Sequence, residues 1–484
     1  MAALTATRTR LLAGIAVVAV IAVVGLCLVW AGSKRTQPLS PQTMMGYLPG
    51  TSAAALGVNT DPGLPQKLSI GRLLAASSDS GALFNTFAHA TGNPESVKKS
   101  TFAYLASGVF PGLPASAVPD WIGPVFAASV SAPSAGSPGM TAAVSFTSSN
   151  ASDASAWLDD ARRLSGGSMS WNSYPDQQNT VFVVANSVDP AVTTGARIID
   201  EPARLAGLDD DAPATVYANL EQAAKITSTL EQAPVFSTLS MFGLLGSGSK
   251  GVVTGTVNAV NDTWVVSGQG SNVAVSGAKI AAGNADLSVV KNAPASSSVT
   301  VAVAKADEQL AVVTGQEGDR VRNIAQSLSL QWPAATRSVF GERTVVAVGP
   351  EDAAGANGGW RSYDAGAGAG AAASKLVAGY LTPNSGRSWA AVPTATGAAI
   401  ATTASWANAL ANPKQGQTLG DAAAFEGLVD GADSATYVAV VDGKALSATS
   451  DALWWRTVSA AGLVVHSVNE QRSDITFDLT VRPG

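Results

Sequence analysis

The sequence predicts an α+β fold in which one N-terminal transmembrane helix precedes a duplicated domain of antiparallel β-sheet with packed helices. Three observations carry that prediction. A charge-free apolar run occupies Leu11–Trp30, β-compatible runs joined by turn residues alternate with segments of helical period, and several of these elements recur in order at a nearly constant offset. The chain accordingly divides into 1–10 as a cytoplasmic head, 11–32 as the transmembrane helix, 33–44 as a linker, 45–285 as a first α+β repeat and 286–484 as a second.

At 1.5 Å per residue, about 20 apolar residues cross the roughly 30 Å hydrocarbon core, and Leu11–Trp30 supplies that length. A cleaved signal peptide suits the run less well. Secretory apolar regions are about 7–15 residues long and end in small residues, whereas Trp30 stands just before the best cleavage position at Ala31. Cys27 follows Leu26 inside the run, lacks the small preceding residue of a lipoprotein site, and reads as a small apolar side chain. Arg8 and Arg10 balance Lys34 and Arg35, so flanking charge does not orient the chain. Size does, because the short head cannot be the working part. The expected location is the plasma membrane, single-pass, with the C-terminal domain extracytoplasmic.

Pro38 and Pro41 among polar residues mark the linker. Tyr47–Thr51 is turn chemistry, and Ala53–Asn59 before Asp61-Pro62-Gly63 reads as a strand. Leu73, Leu74, Leu83, Phe84 and Phe87, then Phe102, Leu105 and Val109, recur at helical spacing until Pro111-Gly112. Trp121–Val130 and Met140–Phe146 predict a hairpin across SAPSAGSPG. A helix follows, with Asp153 as its N-cap, Trp157, Leu158 and Leu164 as its apolar stripe, and Asp159 and Arg163 as an i,i+4 pair. Strands at Ser168–Trp171 and Thr180–Ala185, a helix around Ala191–Ile199, a strand at Thr215–Asn219, a helix at Leu220–Leu230 and a hairpin of Gly251–Val257 with Thr263–Ser267 complete the first half.

After Ala293-Pro294 the order restarts. A strand at Val299–Ala304, a helical segment over Gln309–Leu328, a strand at Arg343–Val348, a helix over Trp360–Tyr380, strands at Ala398–Thr402 and Ala435–Ala439, and a hairpin of Gly462–Asn469 with Asp474–Leu479 repeat the earlier roles. Tyr437 follows Tyr217 by 220 residues, Gly462 follows Gly251 by 211, and Ala404 follows Ser187 by 217. Antiparallel hairpins interleaved with helices argue α+β over a parallel βαβ array.

Composition narrows function. The net charge is −6, and residues 1–35 hold four basic side chains and no acid, leaving −10 on the remainder, which disfavours nucleic acid. The basic pairs Lys98-Lys99 and Arg162-Arg163 are separated and lie near acids. Only His89 and His466 could serve a Ser-His-Asp site, and with the single cysteine in the apolar run, Cys-His catalysis and Cys/His zinc sites are excluded by counting. The stretch from Gly243 to Lys250 departs from a P-loop, Ser247 and Lys250 match SxxK only formally, and Gly366–Ala371 matches GxGxxA without a preceding buried strand. Asp209-Asp210-Asp211 lacks the alternating ligands of a calcium loop and reads as a solvated turn. Trp121, Trp332, Trp389 and Trp406 read as core, and an exposed Trp454-Trp455 edge would mark a partner or glycan surface. No catalytic residue, cofactor-binding residue, metal ligand or cofactor is predicted.

Tyr47-Leu48-Pro49-Gly50-Thr51 through Val58-Asn59-Thr60-Asp61-Pro62, with the later Val118-Pro119-Asp120-Trp121-Ile122-Gly123, resembles the opening of a bacterial domain-of-unknown-function family, the one numbered 3352. The resemblance implies one N-terminal span, a large extracytoplasmic region, and no activity, cofactor or catalytic residue. The expected function is a non-catalytic binding or interaction module of the bacterial cell envelope. Its partners would be the membrane through one helix and an envelope protein or apolar ligand, without nucleic acid; the sequence carries no signal for an oligomeric state. The alternative is an extracytoplasmic hydrolase using carboxylates, since Asp and Glu remain when His and Cys are scarce.

Overall fold

A computed structural model describes residues 39–483 apart from 64–65, 67–68, 70–93, 134–138, 177–178, 202–203, 206, 228–249, 262, 276–277, 280–281, 309–318, 332–333, 353–354, 386, 423–424, 426 and 448–457. The chain divides into two compact units, Met1–Ser271 and Asn272–Gly484.

In the first unit, helix α1 (Pro41–Gly46) leads into strand β1 (Ser52–Asn59). Helix α2 (Pro94–Leu105), strands β2 (Ile122–Ser131) and β3 (Thr141–Ser148), helix α3 (Ala151–Leu164), strands β4 (Ser170–Asp176) and β5 (Asn179–Ala185), helix α4 (Ala191–Thr194), strand β6 (Ala214–Asn219), helix α5 (Leu220–Thr227), strand β7 (Lys250–Val260) and strand β8 (Thr263–Val275), whose last residues pass the boundary at Ser271, follow. The strands pair antiparallel in the order β4-β5-β3-β2-β1-β6-β7. Alternation along the strands sends residues to two faces. Phe126, Phe146 and Phe182 stand opposite one another across three strands, and Phe102 of α2 meets the first two edge-on at 5.4 Å. On a second packing surface, Met44 and Met45 of α1 and the following Leu48 cover Val125, Ala127, Val181 and Val183. Gly57 admits α1 this closely, because a Cβ there would collide with the Pro41 carbonyl oxygen.

The second unit holds the short strand β9 (Ala278–Lys279), helix α6 (Leu287–Lys291), strand β10 (Val299–Ala304), helices α7 (Asp319–Ser327) and α8 (Ala335–Phe340), strands β11 (Arg343–Asp352) and β12 (Gly355–Tyr363), helix α9 (Ala369–Leu376), strands β13 (Ala390–Pro393) and β14 (Ala398–Ala401), helix α10 (Ala404–Ala411), strand β15 (Tyr437–Asp442), helix α11 (Gly443–Ser447), and strands β16 (Val458–Asn469) and β17 (Asp474–Pro483). Its antiparallel order is β13-β14-β12-β11-β10-β15-β16-β17. Val289 and Val290 of α6 pack with Ala302, Val345, Val438 and Val464 in one cluster. A second gathers Val339 of α8, Ala372 and Ala373 of α9, and Ile400.

The same strand order is therefore laid down twice, and hydrogen bonds fix which residues correspond. The Ser52 hydroxyl donates to the Pro49 carbonyl at 2.6 Å, and Ser297 donates to Pro294 at 2.6 Å. Gly50 N–H donates to the Ala196 carbonyl at 2.7 Å, as Ala295 does to Gln417 at 2.9 Å. Tyr217 lies opposite Ala55, and Val440 lies opposite Thr300, three residues after Ser52 and Ser297 respectively. The structural counterpart of Tyr217 is thus Val440. Tyr437, which the sequence echo aligns with it, lies opposite Val303.

Several expectations are corrected. The α+β class with packed helices gives way to large antiparallel sheet with few, short helices among the described residues. Ala, Ser, Gly and Thr populate strands and helices alike here, so their spacing does not separate the two. The expected helix over Trp360–Tyr380 begins instead as β12, with Trp360 between Val346 and Ile400, and Ala191–Ile199 contains only the four-residue α4 before a short 3-10 turn. The transmembrane helix and the single-pass plasma-membrane location are not supported, because no helix among the described residues is long and apolar enough to cross a membrane. The longest of these helices, α3, has fourteen residues, including Asp153, Asp159, Asp160, Arg162 and Arg163. At 1.5 Å per residue it reaches roughly 21 Å, short of a 30 Å hydrocarbon core. Leu11–Trp30 itself lies outside the described residues.

Candidate functional site

A groove of about 660 Å³ opens in the second unit between α10, the Pro294–Ser296 turn and the segment Pro413–Gln417. That volume falls within the range of small-molecule pockets. Helix α10 forms its wall because two ends and one face of the helix are held. At its start Thr403 is the N-cap, its hydroxyl accepting from Trp406 N–H at 3.3 Å and donating to Asn357 at 2.9 Å. On the inner face Trp406, Ala407, Leu410 and Ala411 are buried, and the indole N–H of Trp406 donates to the Ala347 carbonyl at 3.3 Å. At the far end Arg361 donates to the Leu410 carbonyl at 2.9 Å, placing a cation where the helix leaves its carbonyls unpaired. The opposite face, Ser405, Asn408, Ala409 and Asn412, then turns toward the groove.

The other side of the groove is pinned by Asp421. Its Oδ2 accepts from Gly416 N–H at 2.9 Å, Thr418 N–H at 3.1 Å and the Thr418 hydroxyl at 2.6 Å. The Thr418 hydroxyl, followed by these backbone donors, holds the Asp421 carboxyl below its ordinary range, so it remains an anion and an acceptor. The lining offers hydroxyls from Ser296 and Ser405, amides from Asn408, Asn412 and Gln417, and one ammonium from Lys414. It contains no carboxylate, imidazole or thiol. Such a surface can bind polar groups through these donors and acceptors.

The corresponding corner of the first unit is filled. Arg197 lies 5.4 Å from the Tyr47 ring and 4.8 Å from the Tyr174 ring, and the two rings are 5.5 Å apart. Tyr47 donates to Asp176 at 3.0 Å, and Arg197 donates to Asp200 at 2.9 Å. Burial, then the Asp176 hydrogen bond, pushes the Tyr47 hydroxyl up to about 12. By strand register and shared hydrogen bonds, Tyr47, Tyr174 and Arg197 correspond to Asn292, Thr394 and Thr418. Chain length differs too. Asn186 N–H donates to the Ala142 carbonyl and Thr402 N–H to that of Gly358, so Asn186–Ala196, eleven residues, matches Thr402–Gln417, sixteen residues. The helix grows from the four residues of α4 to the eight of α10, and the stretch after it grows from Gly195–Ala196 to Asn412–Gln417.

The residues singled out in the sequence do not converge. His466 sits in β16 opposite Thr476. Lys98 is buried, donating to the Asp120 and Ile122 carbonyls at 3.1 and 2.8 Å, while Lys99 pairs with Asp120. Arg163 pairs with Asp160 at 2.9 Å, and Asp159 instead accepts from the Trp171 indole at 3.2 Å. Asp209 accepts from Asp211 N–H at 2.9 Å in a turn. Gly366 and Gly368 have φ of +79° and +89°, and Gly368 starts α9. His89, Trp332, Trp454, Trp455, residues 243–249 and Cys27 lie outside the described residues. No group of three His, Cys, Asp or Glu able to hold a metal occurs among the described residues. Two carboxylates do converge in the second unit, Asp286 and Asp364, and both bind Arg343. Burial would raise Asp286, but the Ser288 hydroxyl and amide and the Arg343 guanidinium outweigh it and hold it low. The groove residues escaped the sequence reading; the signal available was the longer chain between Ala398–Thr402 and Ala435 than between the matching strands of the first half.

No protein-family model matches the chain, and no curated protein or solved structure is detectably similar to it.

Proposed function

We propose that the chain is a non-catalytic binding module whose ligand site is the groove of the second unit. One observation carries this reading: a groove of about 660 Å³ lined by hydroxyls, amides and a single ammonium, with no carboxylate, imidazole or thiol. The likeness to family 3352 belongs to the same reading, rests on Tyr47–Thr51, Val58–Pro62 and Val118–Gly123, and implies no activity. A hydrolase using carboxylates has less support, because Asp286 and Asp364 are both engaged by Arg343, and Asp286 is held low, so it supplies no raised carboxylic acid.

Ala409 is half-buried at the groove wall, so Ala409→Trp fills the space without disturbing the buried face of α10. Saturation-transfer NMR of the full chain against a panel of short peptides and oligosaccharides should find probes that bind the wild type and are lost in A409W. Probes that bind both proteins equally, or turnover of ester, peptide or glycoside substrates by the purified chain, would overturn the proposal.

A further inference from the structure

The groove's geometry points to a particular ligand, and we infer that it takes the main chain of an extended, acidic peptide segment from a partner protein, gripped along α10 by Asn408 and Asn412 and at one side chain by Lys414. This deepens the non-catalytic binding reading and rests on it. Asn408 and Asn412 are four residues apart on one helical face, about 6.0 Å along the axis. In an extended chain, peptide groups facing the same way recur every two residues, at about 6.4–6.8 Å. Each asparagine can therefore meet a successive same-side peptide group. A carboxamide presents a donor and an acceptor side by side, which matches the C=O and N–H of a peptide main chain.

The donors and acceptors remain available. Asn408 Nδ2 donates to the Ala404 carbonyl at 2.9 Å, leaving the second amide hydrogen and Oδ1 for a ligand. Among the described residues Asn412 makes no side-chain hydrogen bond, and it is exposed. Ala409 lies between them and leaves the helix surface low where a backbone would approach. No aromatic ring lines the groove, so a sugar face finds no stacking platform. Charge selects the side chain. Lys414 is the one charged lining residue, and the nearby Asp421 carboxylate is occupied by Gly416 and Thr418. A glutamate or aspartate of the ligand therefore meets the Lys414 ammonium, which makes no ion pair among the described residues, while a lysine or arginine meets a like charge.

The test is selection of a random eight-residue peptide library displayed on phage against the full chain, followed by fluorescence anisotropy with the enriched peptide carrying fluorescein. The expected result is enrichment of Asp or Glu at one fixed position. Asn412→Ala should weaken binding of the enriched peptide about tenfold, the value of one good hydrogen bond. N-methylation of the backbone amide that meets Asn412 should weaken it at least as much, about tenfold or more. Lys414→Glu should shift the selected residue from acidic to basic. Both substitutions are at exposed positions, which keeps the fold out of the readout. Absence of an enriched acidic position, or unchanged binding in both variants, overturns the peptide inference. Oligosaccharides that bind the wild type and are excluded by A409W would sink the peptide while keeping the groove as a binding site. Binding of every probe undiminished in A409W would sink both.

Discussion

The two units have the same strand order and close the same corner differently. In the first, Tyr47, Tyr174 and Arg197 stack over a four-residue helix. In the second, Asn292, Thr394 and Thr418 stand in their places, and an eight-residue helix backs an open groove. The sheet beneath does not explain this difference, since its register is shared. Side-chain volume at three positions and the length of one connection do. A duplicated scaffold can thus keep one copy for packing and expose the other.

The largest expected effect that sharpens this contrast comes from Trp406→Ala. Removing a buried indole costs about 3–5 kcal/mol, and hydrogen exchange should show protection lost over α10 and β14 while β3 and β5 keep theirs. Equal loss over β3 and β5 would erase the distinction between the corners. Next, Arg197→Ala should cost about 1–2 kcal/mol by denaturant unfolding, since the guanidinium is partly desolvated between two rings, whereas Thr418→Ala, with no rings to lose, should cost less. An equal cost would mean that the stack does not hold the first corner shut.

A smaller contrast lies in the helices that follow β3 and β12. Asn150 caps α3 by accepting from Asp153 N–H at 3.2 Å, and α9 starts at Gly368 with no side-chain cap. Asn150→Ala should cost about 1 kcal/mol. Gly368→Ala should cost about 1–2 kcal/mol for a different reason, a Cβ forced into left-handed backbone, and Gly368→Asn should recover part of that loss.

The smallest effect is a likeness between the corners. The Arg197 amide and side chain depress Asp200, and the Thr418 hydroxyl and amide depress Asp421. A carboxyl with a lowered folded pKa stabilises above its unfolded value near 3.8 and loses that contribution as pH falls through the folded value. Both clamps should therefore hold at neutral pH and release only in acid below the ordinary aspartate range. Carboxyl carbon shifts from an NMR titration would show this, and a midpoint at or above 3.8 for either residue would contradict it.

Much of the strand layout is legible in the residues. Val299–Ala304 forms the strand read for it, end to end, because a run of Val alternating with small residues has one low-energy use. Helix starts are less legible. Asp153 has cap chemistry, but Asn150 three residues earlier takes that role, and Asp153 becomes its first-turn acid. Leu164, expected in the apolar stripe, is 81% exposed because α3 ends there. The Tyr217–Tyr437 echo misaligns by three residues, since composition repeats more loosely than hydrogen-bond register. The groove was illegible for a related reason. Its polar side chains look like any solvated surface until α10, the Pro294 turn and Pro413–Gln417 are brought together.

The segment that builds the groove is pinned at each end, by Thr402 N–H to the Gly358 carbonyl and by Ala295 N–H to the Gln417 carbonyl. Between those pins the first unit holds eleven residues and the second sixteen, over one unchanged register. The stretch therefore behaves as an interchangeable cassette. Its contents can be lengthened, shortened or replaced while the strands on either side stay sealed, so new recognition can be written into this protein at one address without renegotiating its core.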